Sequence, residues 1–271
     1  IAGTGSNNTE EALTGTGHAV KEGVDGILLV DPYYNGPSSL EIRKEYYEAV
    51  ATAYPEVEVI PYIIPGRTGA QMLPQDLALL SQSCANVNSV KEATGSLDNM
   101  KLTREFCGDE FKILSGDDGL VHEIMTDPAI KACGAISVMS NLAPGFMTQM
   151  VALLNQGKFD EAMAIQKKLK PLLDLVVVTT QEDSKFGQVN CRARNPLPLK
   201  TMMQILGMPS GPCRRPLGKM TRKGFDIVLS AMKKVQAESP EIFQPIADFF
   251  NLDIDQRLNT PKNHEGLWYG Y

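Results

Sequence analysis

The amino-acid sequence predicts an α/β fold in which a parallel sheet is covered by helices. Apolar, strand-like runs recur as far as residue 141, and a helical pattern follows each of them. The runs begin about 23 to 31 residues apart, which is the size of one β/α unit. Continuous apolar strands that alternate with helices indicate a parallel sheet buried on both faces. The chain has 271 residues, 43% of them hydrophobic and 21% charged, so it can bury a substantial core.

Six strands are predicted, each by an apolar run that ends in a turn or a polar segment. The first is the end of a strand at IAGTG, and a helix follows it from Thr9 to about Gly23. The later strands and their helices are GILLVDPYY (26–34) with 39–54, VEVIPYIIPG (57–66) with 74–83, NVNSVKEA (86–93) with 97–107, FKILSGDD (111–118) with 119–125, and GAISVMSN (134–141) with 144–156. Beyond Gly157 the pattern predicts helices alone, at 159–175, 196–206 and 221–237.

A closed (β/α)8 barrel fits this pattern, but it needs eight strands. The two further units amount to about 60 residues, which we expect before Ile1. The chain then comprises a TIM barrel lacking its first two β/α units (1–157, barrel strands three to eight), the last barrel helix with a C-terminal helical domain (158–237), and a C-terminal extension (238–271). An open, doubly wound sheet of six strands is the alternative.

Charge and cysteine content argue against several classes of function. A net charge of −6 and a pI near 5.2 disfavour a nucleic-acid or anionic-membrane partner. No apolar run approaches the roughly 20 residues of a membrane span. The five cysteines form no CxxC pair and the three histidines are dispersed, a pattern that favours reduced thiols and no metal site. We therefore expect a cytoplasmic protein that binds neither nucleic acid nor membrane and holds no metal.

The strand ends carry the candidate catalytic residues, since chemistry in a barrel sits where strands lead into the following loops. Lys91 ends a buried run, and desolvation there favours the neutral amine, a nucleophile toward a carbonyl. Tyr62 ends the preceding strand, where a phenol can transfer protons. Arg67, in the turn PGRTG, suits bidentate capture of a carboxylate. Each also has an ordinary interpretation: a lysine that reaches solvent, a core tyrosine and a solvated arginine.

Other strand ends leave alternatives open. Tyr33 and Tyr34 either anchor their loop or reach the site or a subunit interface. Gly116 permits close approach of the backbone to a ligand. Alternatively, Asp117 or Asp118, the two residues after Gly116, caps the next helix.

Taken together, GTGSNNTEEAL, DPYYNGP, PGRTG, KEATG, SGDD, ISVMSN and NPLPLK resemble the dihydrodipicolinate synthase (4-hydroxy-tetrahydrodipicolinate synthase) family of pyruvate-dependent class I aldolases, which include N-acetylneuraminate lyase. The resemblance implies a (β/α)8 barrel with a C-terminal helical domain, usually assembled as a homotetramer, a dimer of dimers. It implies a lyase that condenses pyruvate with L-aspartate 4-semialdehyde to give 4-hydroxy-tetrahydrodipicolinate in lysine (diaminopimelate) biosynthesis. It implies no cofactor beyond a covalent pyruvate Schiff base on Lys91.

The resemblance also implies a role for each matching position. Lys91 corresponds to the Schiff-base lysine and Tyr62 to the proton-transferring tyrosine. Tyr34 corresponds to the tyrosine that crosses the tight-dimer interface into the neighbour's proton relay. Arg67 corresponds to the residue that holds the semialdehyde carboxylate, and the backbone of Ile136 to a position lining the pyruvate pocket.

Asn7, Glu11 and Tyr33 correspond to positions that bind lysine in feedback-inhibited members. The family's GTTGE loop has no counterpart in the sequence; that loop supplies backbone amides for the pyruvate carboxylate and a threonine that links the two tyrosines. Two alternatives to the synthase are a related pyruvate-dependent aldolase or lyase acting on a sugar acid or 2-keto acid, and an inactive barrel retained for binding or assembly. The extension is expected to pack on the barrel or on another subunit through its aromatic residues, Phe249, Phe250, Trp268 and Tyr269.

Overall fold

The structure is a computed structural model that describes residues 1–270, and the chain divides into two compact units. The first unit is Ile1–Ile136, and the second begins at Ser137. This division falls earlier than the predicted boundary after Gly157. The physical reason is that the helix at 144–155 packs along the helix at 159–173 and so belongs with the second unit.

The first unit alternates strands and helices, as the sequence predicts. Its strands are β1 (Ala2–Gly3), β2 (Gly26–Val30), β3 (Glu58–Ile63), β4 (Ser89–Glu92), β5 (Lys112–Ser115) and β6 (Gly134–Ala135). Its helices are α1 (Thr9–Lys21), α2 (Ser39–Glu41), α3 (Glu48–Ala53), α4 (Pro65–Thr68), α5 (Pro74–Ser83), α6 (Leu97–Cys107) and α7 (Val121–Thr126). A π-helical segment, Ile42–Tyr47, joins α2 to α3 in one continuous helix.

Local sequence accounts for the helix ends. Asn8 begins α1 by accepting the Glu10 N–H at 2.9 Å. Ser96 begins α6 in the same way by accepting the Asn99 N–H at 3.2 Å. Gly108 ends α6 with φ of 83°, a conformation that glycine adopts without the steric cost of a side chain.

The six strands of the first unit form one sheet in the order β1-β2-β3-β4-β5-β6, and every neighbouring pair is parallel. Strands adjacent in the sequence are therefore adjacent in the sheet. The order never reverses within residues 1–136, so the doubly wound alternative is wrong, since such sheets contain a point where strand order changes direction. The sheet buries one face of apolar residues against the helices, among them Ile27, Leu29, Val59, Val90 and Ile113.

The second unit is mainly helical. Its elements are α8 (Pro144–Asn155), α9 (Phe159–Leu173), β7 (Val177–Ser184), β8 (Gly187–Arg194), α10 (Leu197–Leu206), β9 (Met220–Thr221), α11 (Arg222–Glu238), α12 (Gln244–Phe250), α13 (Ile254–Asn259) and β10 (Trp268–Tyr269). Its core forms where α9, α10 and α11 meet, with Leu169, Met202 and Val228 fully or almost fully buried.

The prediction that only helices follow Gly157 is wrong, because β7 and β8 form an antiparallel hairpin. Ser184 pairs with Gly187 across a two-residue loop. The run VVVTT at 176–180 is β-branched throughout, which favours a strand. Alternate side chains of β7, including Val178 and Thr180, are buried, as expected of a strand with one face on a core.

The extension beyond residue 237 packs within the second unit. Phe243 and Ile246 are buried, and the Trp268 ring lies 4.8 Å from the Phe225 ring, centroid to centroid. Phe249 is the exception, since it is 82% exposed. Trp268 therefore packs on α11 of the second unit, and packing of Phe249 on another subunit stays a prediction.

Candidate active site

Lys91 and Tyr62 lie side by side at the carboxyl ends of two neighbouring strands. The parallel register of β3 and β4 pairs them directly, and the Lys91 Nζ lies 4.0 Å from the centroid of the Tyr62 ring. Lys91 is 8% exposed, in a strand whose four residues are all buried. The structure thus brings together the two residues that the sequence predicts as the amine and the phenol of one site.

The surroundings of Lys91 favour its neutral form. Burial lowers the pKa of the Lys91 amine, and the positive charge of Arg67 lowers it further, while the negative charge of Asp118 opposes both effects. Among residues 1–270, the Lys91 Nζ has no hydrogen bond or ion pair, and its contact is the tyrosine ring. An amine that is buried, has a lowered pKa and is not committed to a partner is suited to attack a carbonyl carbon.

Tyr62 retains its proton in this setting. Burial raises the pKa of the Tyr62 phenol, and the nearby Arg67 charge counteracts part of that rise. A protonated phenol whose ring contacts the Lys91 amine is a candidate proton donor to an intermediate formed on that amine.

Arg67 lies in a tight turn that follows β3. Pro65 starts the short helix α4, and Gly69 ends it with φ of 70°. The Thr68 hydroxyl donates to the Ala70 carbonyl at 2.7 Å, which closes the turn. Arg67 itself is exposed, yet its charge acts on both Tyr62 and Lys91. It is therefore placed at the solvent side of the candidate site.

Gly116 leaves room for the Lys91 side chain. A Cβ at Gly116 would lie 2.7 Å from the Ala93 Cβ and 3.1 Å from the Lys91 Cε, and the first of these contacts is too close for any side chain. The Gly116 N–H donates to the Glu92 carbonyl at 2.7 Å, which extends the pairing of β4 and β5. The close approach that the structure shows is thus between the Gly116 backbone and Lys91.

Asp118, which the sequence offered as a possible helix cap, lies near enough to Lys91 to act on its charge. It is 4% exposed, and its negative charge raises the pKa of Lys91. Asp117, beside it, accepts the Gly119 N–H at 2.9 Å, so it shapes the turn before α7. Neither aspartate occupies the N-cap of α7, which is Leu120. The sequence feature that could have identified Asp118 is its position three residues after β5, the strand that pairs with the strand of Lys91.

The loop after β2 is anchored by Asp31, a residue that the sequence did not single out. Its buried carboxylate accepts the Tyr47 hydroxyl at 2.7 Å and the Met72 N–H at 3.0 Å. Burial raises the pKa of Asp31 to about 7, while the two hydrogen bonds act to lower it. Tyr47 comes from the π-helical segment, so this irregular turn of helix supplies the contact.

Tyr34 projects from the anchored loop. Its φ is 81°, an uncommon value for a tyrosine, and its N–H donates to the Thr68 carbonyl at 3.3 Å. It is 88% exposed, and Tyr33 is 41% exposed. The hydrogen bond ties the Tyr34 loop to the Arg67 turn and leaves the tyrosine ring in solvent.

The remaining predicted positions lie at other strand ends. Ile136 follows β6, and its N–H donates to the Ser115 carbonyl at 2.9 Å. Asn7 and Glu11 are exposed and follow β1, which is separated from β4 by two strands. Glu11 accepts the Ser6 hydroxyl at 2.7 Å. The structure thus places Asn7 and Glu11 away from the Lys91 strand.

Neither a metal cluster nor a membrane span is found in the part of the chain that the structure describes. No group of three or more histidine, cysteine, aspartate or glutamate side chains is arranged to hold a metal ion there. Nor does any helix of those residues combine the length and the apolar character needed to cross a bilayer.

Comparison with known proteins connects this geometry to a family. The model of the dihydrodipicolinate synthetase family matches residues 1–235. A 4-hydroxy-tetrahydrodipicolinate synthase of Syntrophus aciditrophicus is 39% identical over 221 residues, which cover 82% of this chain and 69% of that protein. The enzyme of the same name from Methanococcus maripaludis strain S2 is 38% identical over 81% of this chain and 69% of its own length.

Solved structures agree with the sequence relatives. The synthase of Methylacidiphilum fumariolicum SolV is 31% identical, with a TM-score of 0.79 over 90% of this chain and 75% of that one. The enzyme of Cyanidioschyzon merolae, solved with lysine bound, is 32% identical, with a TM-score of 0.76 over 87% and 73% of the two chains. The family resemblance carried by the sequence motifs is confirmed: the chain belongs to the dihydrodipicolinate synthetase family.

Proposed function

We propose that this protein condenses pyruvate with L-aspartate 4-semialdehyde to give 4-hydroxy-tetrahydrodipicolinate, a step of lysine biosynthesis through diaminopimelate. The observation that carries the proposal is the buried Lys91 amine, 4.0 Å from the Tyr62 ring and with a lowered pKa. The relatives at 38–39% identity, which carry the name of that synthase, support the same reaction.

The proposed reaction starts at Lys91. Its neutral amine attacks C2 of pyruvate, and loss of water forms a Schiff base. Loss of a proton from the pyruvate methyl group then gives an enamine, whose carbon attacks the aldehyde carbon of the second substrate. The amino group of that substrate then adds to C2 of the pyruvate unit, the Lys91 amine leaves, and the six-membered ring of the product closes. Tyr62 donates and accepts the protons of these steps. No cofactor takes part other than the pyruvate bound covalently to Lys91.

Other residues of the site bind and position the substrates in this proposal. Arg67 holds the carboxylate of the semialdehyde by charge-assisted hydrogen bonds. Gly116 and the backbone of Ile136 border the pyruvate. Asp118 stabilises the positive charge that the Schiff base carries when protonated.

The same proposal covers the fold and the assembly. The six sequential parallel strands act as strands three to eight of a (β/α)8 barrel, followed by a C-terminal domain, and the solved relatives support this interpretation. The subunits form a homotetramer, a dimer of dimers, in which the exposed Tyr34 enters the neighbour's site. Lysine binds at Asn7, Glu11 and Tyr33, for which the lysine-bound relative is the support.

A direct assay tests the reaction. Purified protein incubated with pyruvate and L-aspartate 4-semialdehyde should form 4-hydroxy-tetrahydrodipicolinate, detected by mass spectrometry. Turnover of a sugar acid or another 2-keto acid, without turnover of the semialdehyde, would favour the related lyase. The names of the relatives do not favour that alternative. Absence of turnover with every aldehyde, in folded protein, would favour an inactive barrel.

A further inference from the structure

The second unit contains a long stretch of one charge sign. Residues 184–225 hold nine lysines and arginines and no aspartate or glutamate, although the whole chain has a net charge of −6. The stretch covers β8, α10, β9 and the first turn of α11. Its basic residues are Lys185, Arg192, Arg194, Lys200, Arg214, Arg215, Lys219, Arg222 and Lys223. Positive charge is therefore concentrated on one part of an acidic protein.

A cavity of about 290 Å³ lies beside this stretch, bordered by the hairpin, α10, β9 and β10. Its walls are mainly apolar and include Val178, Leu197 and Met220. The two threonines that line it already have hydrogen-bond partners: Thr180 lies 3.1 Å from the Thr221 hydroxyl and donates to the Glu182 carboxylate at 2.8 Å. The interior of the cavity therefore suits an apolar group.

Two exposed cations also line the cavity, and they differ from the two at the start of α11. Among residues 1–270, neither Arg192 nor Lys219 forms an ion pair. By contrast, Lys223 lies 3.7 Å from the Glu182 carboxylate, and Arg222 lies 3.0 Å from Asp226. Acidic side chains thus pair with the two cations at the start of α11. The two cations that line the cavity have no such partner among residues 1–270, and a bound anion would complement their charge.

The N-terminus of a helix also favours an anion at this position. The 17-residue helix α11 begins at the cavity with Thr221 as its N-cap, and its first turn contains no acidic residue. The positive end of the helix dipole therefore adds to the local potential.

We propose that this cavity binds a small organic anion, with its apolar body among Val178, Leu197 and Met220 and its carboxylate or phosphate between Arg192 and Lys219. A volume of about 290 Å³ limits the ligand to a small one. The cavity lies wholly within the second unit, so the proposal does not rest on the reaction at Lys91.

Isothermal titration of the full chain with three probes tests the proposal. The probes are 4-phenylbutyrate, 4-phenylbutyl phosphate and neutral 4-phenylbutanol. At least one anion should bind with one-to-one stoichiometry and at least about tenfold more tightly than the alcohol, because it gains a charge-assisted hydrogen bond. Added salt should weaken binding of that anion. Which anion binds more tightly identifies the acidic group of the ligand.

Matched variants connect binding to the cavity. Arg192→Gln with Lys219→Gln should weaken anion binding by about tenfold or more, since each substitution removes a charged donor. Arg214→Gln with Arg215→Gln removes the same charge from the same stretch at residues that do not line the cavity, so binding should be retained. Circular dichroism confirms that each variant folds. Ala193→Phe, which fills the cavity and retains both cations, should also prevent binding.

Three results would overturn the proposal. Equal affinity for the alcohol and the anions would show that the cavity binds the apolar group alone and does not recognise the acidic group. Equal loss in the Arg214/Arg215 variant would assign binding to overall charge. Absence of saturable binding of either anion up to about 10 mM would show that no such site exists.

Discussion

Lys91 and Glu92 are neighbours on strand β4, and both are ionisable residues buried from solvent. Successive side chains of a strand point to opposite faces, so they occupy different environments. Lys91 contacts the ring of Tyr62. Glu92 accepts the Asn99 side-chain amide at 3.1 Å and the Thr94 N–H at 3.4 Å.

Burial shifts both residues toward their neutral forms. It lowers the pKa of Lys91 and raises the pKa of Glu92 to about 7. The difference lies in the partners, because two donors fix Glu92, whereas no hydrogen bond from residues 1–270 commits the Lys91 amine. Lys91 and Glu92 therefore differ in having a fixed hydrogen-bond partner among residues 1–270, and not in burial.

The largest expected difference is between single substitutions of Lys91 and of Glu92. Lys91→Arg replaces the amine by a guanidinium that stays protonated, so condensation should fall by about 10⁴-fold or more. Glu92→Gln has nearly the same shape and lies on the other face, so turnover should stay within about tenfold of the wild type. Steady-state kinetics with both substrates measures the turnover of the two variants. Retained turnover in Lys91→Arg would contradict the comparison.

Arg67→Ala should have the next largest effect. Loss of a charge-assisted carboxylate contact should lower kcat/KM for the semialdehyde by about 100-fold. Formation of the pyruvate adduct should persist, because the first half of the reaction does not need the second substrate. Arg67→Lys is the control that retains the charge without the bidentate geometry. Equal loss of adduct formation and condensation would place Arg67 in the pyruvate step instead.

Opposite changes in pH dependence should follow from the two charges near Lys91. Schiff-base formation needs the neutral amine, so its rate rises with pH through the Lys91 pKa. Arg67→Ala removes a charge that lowers this pKa and should shift the rise to higher pH, whereas Asp118→Asn removes a charge that raises it and should shift the rise to lower pH. The rate of borohydride trapping, measured as a function of pH, gives the shift in each variant. Shifts in the same direction would contradict the electrostatic account.

The smallest expected effect concerns stability on the Glu92 side of the strand. Because its folded pKa is raised from 4.5 to about 7, the stability that Glu92 contributes is complete below pH 4.5 and is lost as pH rises through 7. Glu92→Gln should therefore be more stable than wild type at pH 8. At pH 5 the two proteins should differ by less than about 1 kcal/mol, since a protonated glutamate, like glutamine, has one donor group and one carbonyl acceptor. Urea unfolding at both pH values measures the difference, and Asp31 is expected to contribute in the same direction.

The sequence predicted the periodic part of this structure well. Helices α5 and α6 have the predicted bounds, because proline, serine and glycine mark their ends. Lys91 and Tyr62 were paired correctly, because parallel strands bring their carboxyl ends to one edge. The hairpin was missed, because Lys185–Phe186 is not one of the residue pairs typical of tight hairpin loops.

The buried carboxylates were harder to predict than the buried amine. Asp31, Glu92 and Asp118 all follow or end apolar strands, as many exposed acidic residues do. Whether such a residue is buried depends on helices and loops distant in sequence, for example Met72, whose N–H reaches Asp31. Lys91 stood out because its strand end adjoined those of Tyr62 and Arg67.

Borohydride trapping with pyruvate, followed by peptide mapping, tests the central claim most directly. Reduction should fix one pyruvate-derived adduct, on the peptide that contains Lys91, and Lys91→Arg should abolish it while Glu92→Gln retains it. An adduct on another lysine, or none in folded wild-type protein, would contradict the assignment of Lys91 as the reactive amine.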